Sequence, residues 1–150
     1  MKKCFYLVLA LFSTLIANAQ QIDYYLDDGL VAEGYDVTEY FNGKAIEGNK
    51  KYIGTHDGVK FSFSSSANLA KFKGNPSKFT PQYGGYCAYA LATANKKAAS
   101  DPETYEVRDG KLYLFYNSWG TNNLKKWLAE GPSKLKPKAD ANWVKLKYKK

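Results

Sequence analysis

Two Asp-Gly dipeptides, each set between β-prone runs, constrain this 150-residue chain more than any other feature. His56-Asp57-Gly58 lies between Tyr52-Ile53-Gly54-Thr55 and Val59-Lys60-Phe61-Ser62-Phe63, and Asp109-Gly110 lies between residues 104–108 and 111–116. A tight type I′ turn needs positive φ at both central residues, which Asp and Gly tolerate, and its twist matches that of antiparallel strands. Both segments are therefore read as β-hairpins. In the second, Leu112, Leu114 and Tyr116 are expected on one face, with Tyr113 and Phe115 on the other.

The segments between and after the hairpins read as short helices. Ser64-Ser65-Ser66 offers N-caps for a helix over residues 67–73, with Leu69 and Phe72 on one face and Gly74 as its stop. Asn75-Pro76 begins a further turn ending near Phe79. The run from Cys87 to Ala94 is alanine-rich and suits a helix entered through Gly84-Gly85. Asp36, with Glu39 three residues on, reads as a capping box for a short helix ended by Gly43. Asp101-Pro102 is expected to open a turn. Leu124, Trp127 and Leu128 mark a helix face, and Trp143, Val144 and Leu146 a final docking segment. The fold class is α+β: a small single domain with two antiparallel β-hairpins and several short helices.

The first residues have the form of an export signal. Lys2 and Lys3 precede an apolar run from Phe5 to Ile16, and Ala17-Asn18-Ala19 matches a small-residue cleavage site, so cleavage is expected after Ala19. The run is too short to span a bilayer. Cys4 precedes it, away from the cleavage point, which speaks against a lipoprotein. The short lysine-led form looks bacterial, so the periplasm or the exterior is the expected location. The organisation read from the sequence is a signal peptide over residues 1–19, an N-terminal arm over 20–32, the folded domain over 33–146 and a basic tail over 147–150.

Cleavage sharpens the chemistry. Of two Cys, one His and one Met, only Cys87 and His56 survive, and loss of Lys2 and Lys3 lowers the net charge from +8 to +6. A structural zinc site needs about four Cys or His ligands, so an ordinary one is excluded. One Cys forms no internal disulfide. No nucleophile elbow, phosphate loop or catalytic carboxylate pair is present. From Lys125 to Lys150, nine lysines face only Glu130 and Asp140, so nearly all the net positive charge sits at the C-terminal end. Two readings stand for it: contact with an anionic surface, or a solvated lysine-rich helix with a frayed tail. Nucleic acid is not an expected partner for an exported chain with a single Arg.

Several segments resemble one family. They are Gly34-Tyr35-Asp36-Val37 with Tyr40-Phe41, Phe61-Ser62-Phe63-Ser64-Ser65 with Asn68-Leu69 and Lys71-Phe72, and Asn75-Pro76 with Lys78-Phe79. The longest is Pro81-Gln82-Tyr83-Gly84-Gly85-Tyr86-Cys87-Ala88-Tyr89-Ala90. Asp101-Pro102, residues 109–114, Trp127 and Ala139-Asp140-Ala141-Asn142-Trp143 follow. Together they resemble the YHS domain family, in its exported bacterial branch, over residues 33–146. The resemblance implies a small metal-binding scaffold, with copper or another soft metal ion as the cofactor of its cysteine-bearing members. Ser64 and Asn68 stand here where those members carry Cys, and Phe72 keeps the family's Phe. The scaffold carries over, and the paired-thiol chemistry does not.

That leaves Cys87 as the sharpest candidate. It follows Gly84-Gly85 at an expected helix start, with Tyr83, Tyr86 and Tyr89 close by in sequence. A thiolate favoured there would suit a metal ligand, an axial haem ligand or a redox thiol; otherwise Cys87 is a small packing residue in a Gly/Ala seam. His56 is a possible second metal ligand if it folds over toward Cys87, and otherwise an exposed turn residue. The tyrosines could line a pocket for a small ligand, or serve as core and rim. Three functions compete: a binding module for a metal ion or small ligand near Cys87, a structural or protein-interaction domain, and a thiol enzyme using Cys87. Too few catalytic groups are present to favour the enzyme.

Overall fold

The computed structural model describes residues 20–150, so the expected leader over residues 1–19 lies outside the described residues. Four strand pairs within them close on an X-Gly turn with both central residues left-handed: Asp28-Gly29, Asp57-Gly58, Asp109-Gly110 and Trp119-Gly120. The two Asp-Gly hairpins read from the sequence are therefore present, joined by two more.

The first pair is β1 (Leu26–Asp27) with β2 (Leu30–Val31), and the second is β3 (Asn49–His56) with β4 (Val59–Phe63). Leu30 of β2 pairs in parallel with Lys60 of β4, giving one four-stranded sheet in the order β1-β2-β4-β3. Two helices follow, α1 (Ser66–Gly74) and α2 (Pro76–Phe79). Ser65 caps α1 by accepting the Asn68 N–H at 3.1 Å, which selects one of the three serines the sequence offers. A 3-10 turn over Gln82–Gly85 leads to α3 (Ala88–Ala94), with Cys87 at its N-cap. β5 (Asp101–Arg108) and β6 (Lys111–Phe115) form the third hairpin, and β7 (Asn117–Ser118) with β8 (Thr121–Asn122) the fourth. α4 (Asn123–Glu130) and α5 (Pro132–Leu146) complete the α+β domain.

Strand β6 divides the core. Leu112 and Leu114 join Phe61, Phe63, Phe72, Tyr40 and Val31 in one buried cluster, beneath the four-stranded sheet and α1. Tyr113 and Phe115 face the other way, into a cluster with Cys87, Leu91, Trp127, Leu135 and Ala139 from α3, α4 and α5. The period-2 alternation read from the sequence thus serves two cores, one on each face. Tyr116 lies beyond the strand end and packs with the second cluster, not with Leu112 and Leu114.

Several expectations change. Residues 20–32 are not a free arm: Tyr24, Val31 and Ala32 are buried, and β2 is a strand of the sheet. Residues 147–150 are not a free tail. The Asp23 N–H donates to the Lys147 carbonyl at 2.7 Å, the Lys149 N–H donates to the Gln21 carbonyl at 3.0 Å, and Ile22 bridges Tyr148. Each segment supplies the backbone partners the other lacks. Asp101 opens β5 instead of a free turn, its carboxylate accepting the Glu103 N–H and the Thr104 hydroxyl at 3.0 and 2.7 Å. Leu128 and Val144 are exposed, because Trp127, Leu135 and Ala139 form the inward line. No capping box forms at Asp36. The short 3-10 helix Glu39–Asn42 has Thr38 at its N-cap, and the Asp36 carboxylate accepts from Thr38, Ser64 and Asn68 without a reciprocal bond from the Glu39 side chain.

Candidate functional site

A cleft of about 210 Å³ opens where the start of the described chain, the β3–β4 turn, the segment after α2 and helix α5 meet. Its walls include Tyr24, His56, Asp57, Gln82, Tyr83 and Trp143. That is below the roughly 300–1,000 Å³ of sites for drug-sized molecules, so the cleft suits a small ligand.

Local backbone chemistry sets each group. Asp57 holds the left-handed position of the type I′ turn, which turns its carboxylate back toward the start of the chain. Tyr24 donates its hydroxyl to Asp57 Oδ2 at 2.9 Å, and His56 Nε2 lies 3.6 Å from the same oxygen. His56 is the last residue of β3, not a turn residue, and its ring stands edge-on to Phe72 at 6.3 Å. Burial pushes the Tyr24 phenol well above its ordinary pKa, and the hydrogen bond to Asp57 and its charge add to this. Tyr24 therefore donates to Asp57 throughout the physiological range.

A left-handed turn forms a further part of the lining. Tyr83, Gly84 and Gly85 all have positive φ, at +57°, +61° and +81°. A Cβ on Gly84 would overlap the Asp23 carbonyl oxygen, so only glycine fits there. The Gly84 carbonyl accepts the Tyr25 N–H at 2.9 Å, tying the start of the chain to this turn. Tyr83 adopts the conformation at a cost, since a bulky side chain is disfavoured there. In return its ring packs against Tyr113 and Trp143, and its hydroxyl donates to Asp140 Oδ1 at 2.8 Å. Burial, then the bond to Asp140, raises the Tyr83 pKa.

The residues singled out from the sequence separate into groups. His56 and Tyr83 line the cleft. Tyr86 packs on Trp143 and donates to Asp23 Oδ2 at 3.0 Å; burial, then that bond, pushes its pKa up to about 12. Tyr89 donates to Glu130 at 2.5 Å on the outer side of α3. Cys87 is fully buried in the second core cluster, where Asn123 Nδ2 lies 3.5 Å from its sulfur. His56 packs against the first cluster instead, so the structure does not assemble the Cys87–His56 metal pair. A thiolate at Cys87 is also without the solvent access that nucleophilic chemistry requires.

Sequence reasoning missed Tyr24, Asp57, Asp140 and Trp143 as contributors to this region. Tyr24 lies in a stretch whose polar composition hid its burial, and Asp57 was fully explained by its turn. A second polar centre escaped notice for a similar reason. The buried Asp36 carboxylate accepts from the Ser64 N–H and hydroxyl, the Asn68 amide and the Thr38 N–H and hydroxyl, at 2.7–3.0 Å. Asn68 also donates to Glu39 Oε1 at 2.7 Å.

That centre bears on the soft metal implied by the resemblance. Ser64 and Asn68, which stand where the resemblance implies cysteines, are hydrogen-bond donors to a carboxylate. Soft metals select thiolate or thioether ligands, and this cluster offers neither. Among the described residues, no group of three or more His, Cys, Asp or Glu side chains is placed to hold a metal ion. The donor set does not fit a soft ion.

The fold and cleft define a small α+β protein with a tyrosine-walled polar cleft. Comparison with family models, with curated proteins and with solved structures finds no match to this chain.

Proposed function

We propose that this chain is an exported YHS-like binding module that takes a small polar ligand in the cleft between His56 and Tyr83. The observation carrying this reading is the convergence of His56, Asp57 and Tyr24 with left-handed Tyr83-Gly84 around one cleft. Strained non-glycine backbone held by a packed surround is characteristic of sites that bind or react. The ligand class follows from the walls: an imidazole and a carboxylate supply hydrogen bonds, and the half-buried Trp143 supplies apolar surface. Amino acids and monosaccharides have this mixture of groups and this size. The YHS assignment rests on the motif segments, and export on the first nineteen residues.

Equilibrium dialysis of residues 20–150 against panels of amino acids and monosaccharides tests the proposal. At least one class is expected to bind at micromolar to millimolar concentration, with binding weakened about tenfold or more in His56→Ala. Cys87→Ala is expected to bind as the parent does. Absence of binding across both panels, or binding indifferent to His56, counts against the cleft.

A further inference from the structure

Trp119 is the most exposed large apolar side chain among the described residues, at 97%. It sits at the first central position of the β7–β8 turn with φ +51°, where the other three turns carry Asp. A left-handed backbone disfavours a bulky side chain, and Asn, Asp or Gly is the usual occupant of such a turn. Within the chain, the exposed indole gains little in return for that conformation. Its neighbours Asn117, Ser118, Gly120 and Thr121 are polar or bare, so the ring stands alone at the tip.

The hairpin beneath it is held firmly. Asn117 Nδ2 donates to Thr104 Oγ1 at 3.0 Å, the Asn123 N–H donates to the Tyr116 carbonyl at 2.9 Å, and Asn122 caps α4 by accepting the Lys125 N–H at 3.0 Å. The exposed Lys125 and Lys126 follow Trp119 by six and seven residues, at the start of the segment that carries nearly all the net positive charge, with the Lys126 ammonium over the Tyr89 ring at 5.9 Å.

We propose that the β7–β8 hairpin docks on an anionic lipid surface, with the Trp119 indole at the headgroup boundary and lysines of the C-terminal segment against the charged headgroups. Trp is suited to the membrane–water boundary because an apolar ring and a polar N–H occupy one side chain. Lysines near such a surface add attraction that falls off with salt. No described helix is long and apolar enough to cross a membrane. A protein pocket is the other possible seat for a lone indole. Anchors of that kind are surrounded by a ring of close contacts that exclude water. Around Trp119 the ring is bare and the surplus is charge, which favours lipid.

The test is vesicle co-sedimentation of residues 20–150, which contain every contact described above, using phosphatidylcholine with and without phosphatidylglycerol. The variants are Trp119→Asn, which suits the left-handed turn and keeps the fold, and Lys125→Gln with Lys126→Gln. Binding is expected only with phosphatidylglycerol present, about tenfold weaker in Trp119→Asn, and weaker by roughly fivefold for each lysine charge removed. Tryptophan emission should shift to the blue on binding in the parent and not in Trp119→Asn. No vesicle binding by the parent, equal binding to both lipid compositions, or equal binding by parent and Trp119→Asn overturns the proposal.

Discussion

The N–H and the hydroxyl of Ser64 converge on one oxygen of Asp36, at 2.8 and 2.7 Å. This carboxylate is fully buried, and hydrogen bonds from neutral donors satisfy it. Burial pushes its pKa up; the bonds from Ser64, Thr38 and Asn68 outweigh burial and hold it below the ordinary carboxylate value. The pocket is built for the charged form.

A pH signature follows. A folded-state pKa below the unfolded one contributes stability that is present above the unfolded pKa, near pH 4, and is lost as pH falls through the folded value. Asp36→Asn removes that contribution and turns an amide N–H₂ toward existing donors. At neutral pH the variant is expected to lose about 2–4 kcal/mol. Urea unfolding measured across acidic pH should show the parent falling more steeply, the two curves converging at the acid end. Parallel curves would remove Asp36 as the source of acid sensitivity.

Gly84 and Gly120 both have positive φ, yet their surroundings differ. A Cβ at Gly84 meets the Asp23 carbonyl oxygen, and one at Gly120 meets open space. Gly120→Ala should therefore cost only the backbone term, about 1 kcal/mol. Gly84→Ala should exceed about 3 kcal/mol, because the start of the chain must also move. It should also impair any ligand binding in the cleft, since Ile22 and Tyr24 move with Asp23. Thermal unfolding of the two variants side by side gives the comparison, and equal losses would show that the Asp23 contact carries no weight.

The hairpins were legible because Asp-Gly states its backbone conformation locally. The pair β1–β2 was harder to read: its strands are two residues long and gain their place from pairing with β4, thirty residues away. The Trp119-Gly120 turn was illegible because Trp is not a left-handed residue by preference. Asp36 looked like a cap because local spacing permitted one; of the residues its carboxylate binds, only Thr38 is local, and Ser64 and Asn68 are 28 and 32 residues distant. His56 and Tyr83 were identified as candidates individually. Their meeting in one cleft depends on how residues 20–24 thread between them, and composition carries no trace of that path.

Cys87 is expected to behave as a packing residue. Its full burial predicts that a thiol-specific alkylating reagent reacts with residues 20–150 only at the rate of opening, and rapidly once urea unfolds the chain. Cys87→Ser places a hydroxyl in the same apolar cluster and should cost about 1–3 kcal/mol. Rapid native-state alkylation would instead restore the thiol readings weighed from the sequence.

Truncation after Leu146 tests the pairing of residues 21–23 with residues 147–149. It deletes the Lys147 carbonyl that accepts the Asp23 N–H, the Lys149 N–H that donates to the Gln21 carbonyl, and the Tyr148 side of the bridge to Ile22. Asp23 keeps its side-chain partners, Tyr86 and Lys97, and Tyr25 keeps the Gly84 carbonyl. Local release is therefore expected, not global unfolding. Hydrogen exchange at the Asp23 amide should accelerate by roughly tenfold or more, while amides of β5 and β6 keep their protection. Ile22 and Tyr24 line the cleft, so any ligand bound there should bind more weakly to the truncated chain. Unchanged exchange at Asp23 would mean that Gly84, Tyr86 and Lys97 suffice to hold the N-terminal segment, leaving the last four residues without a structural part in the site.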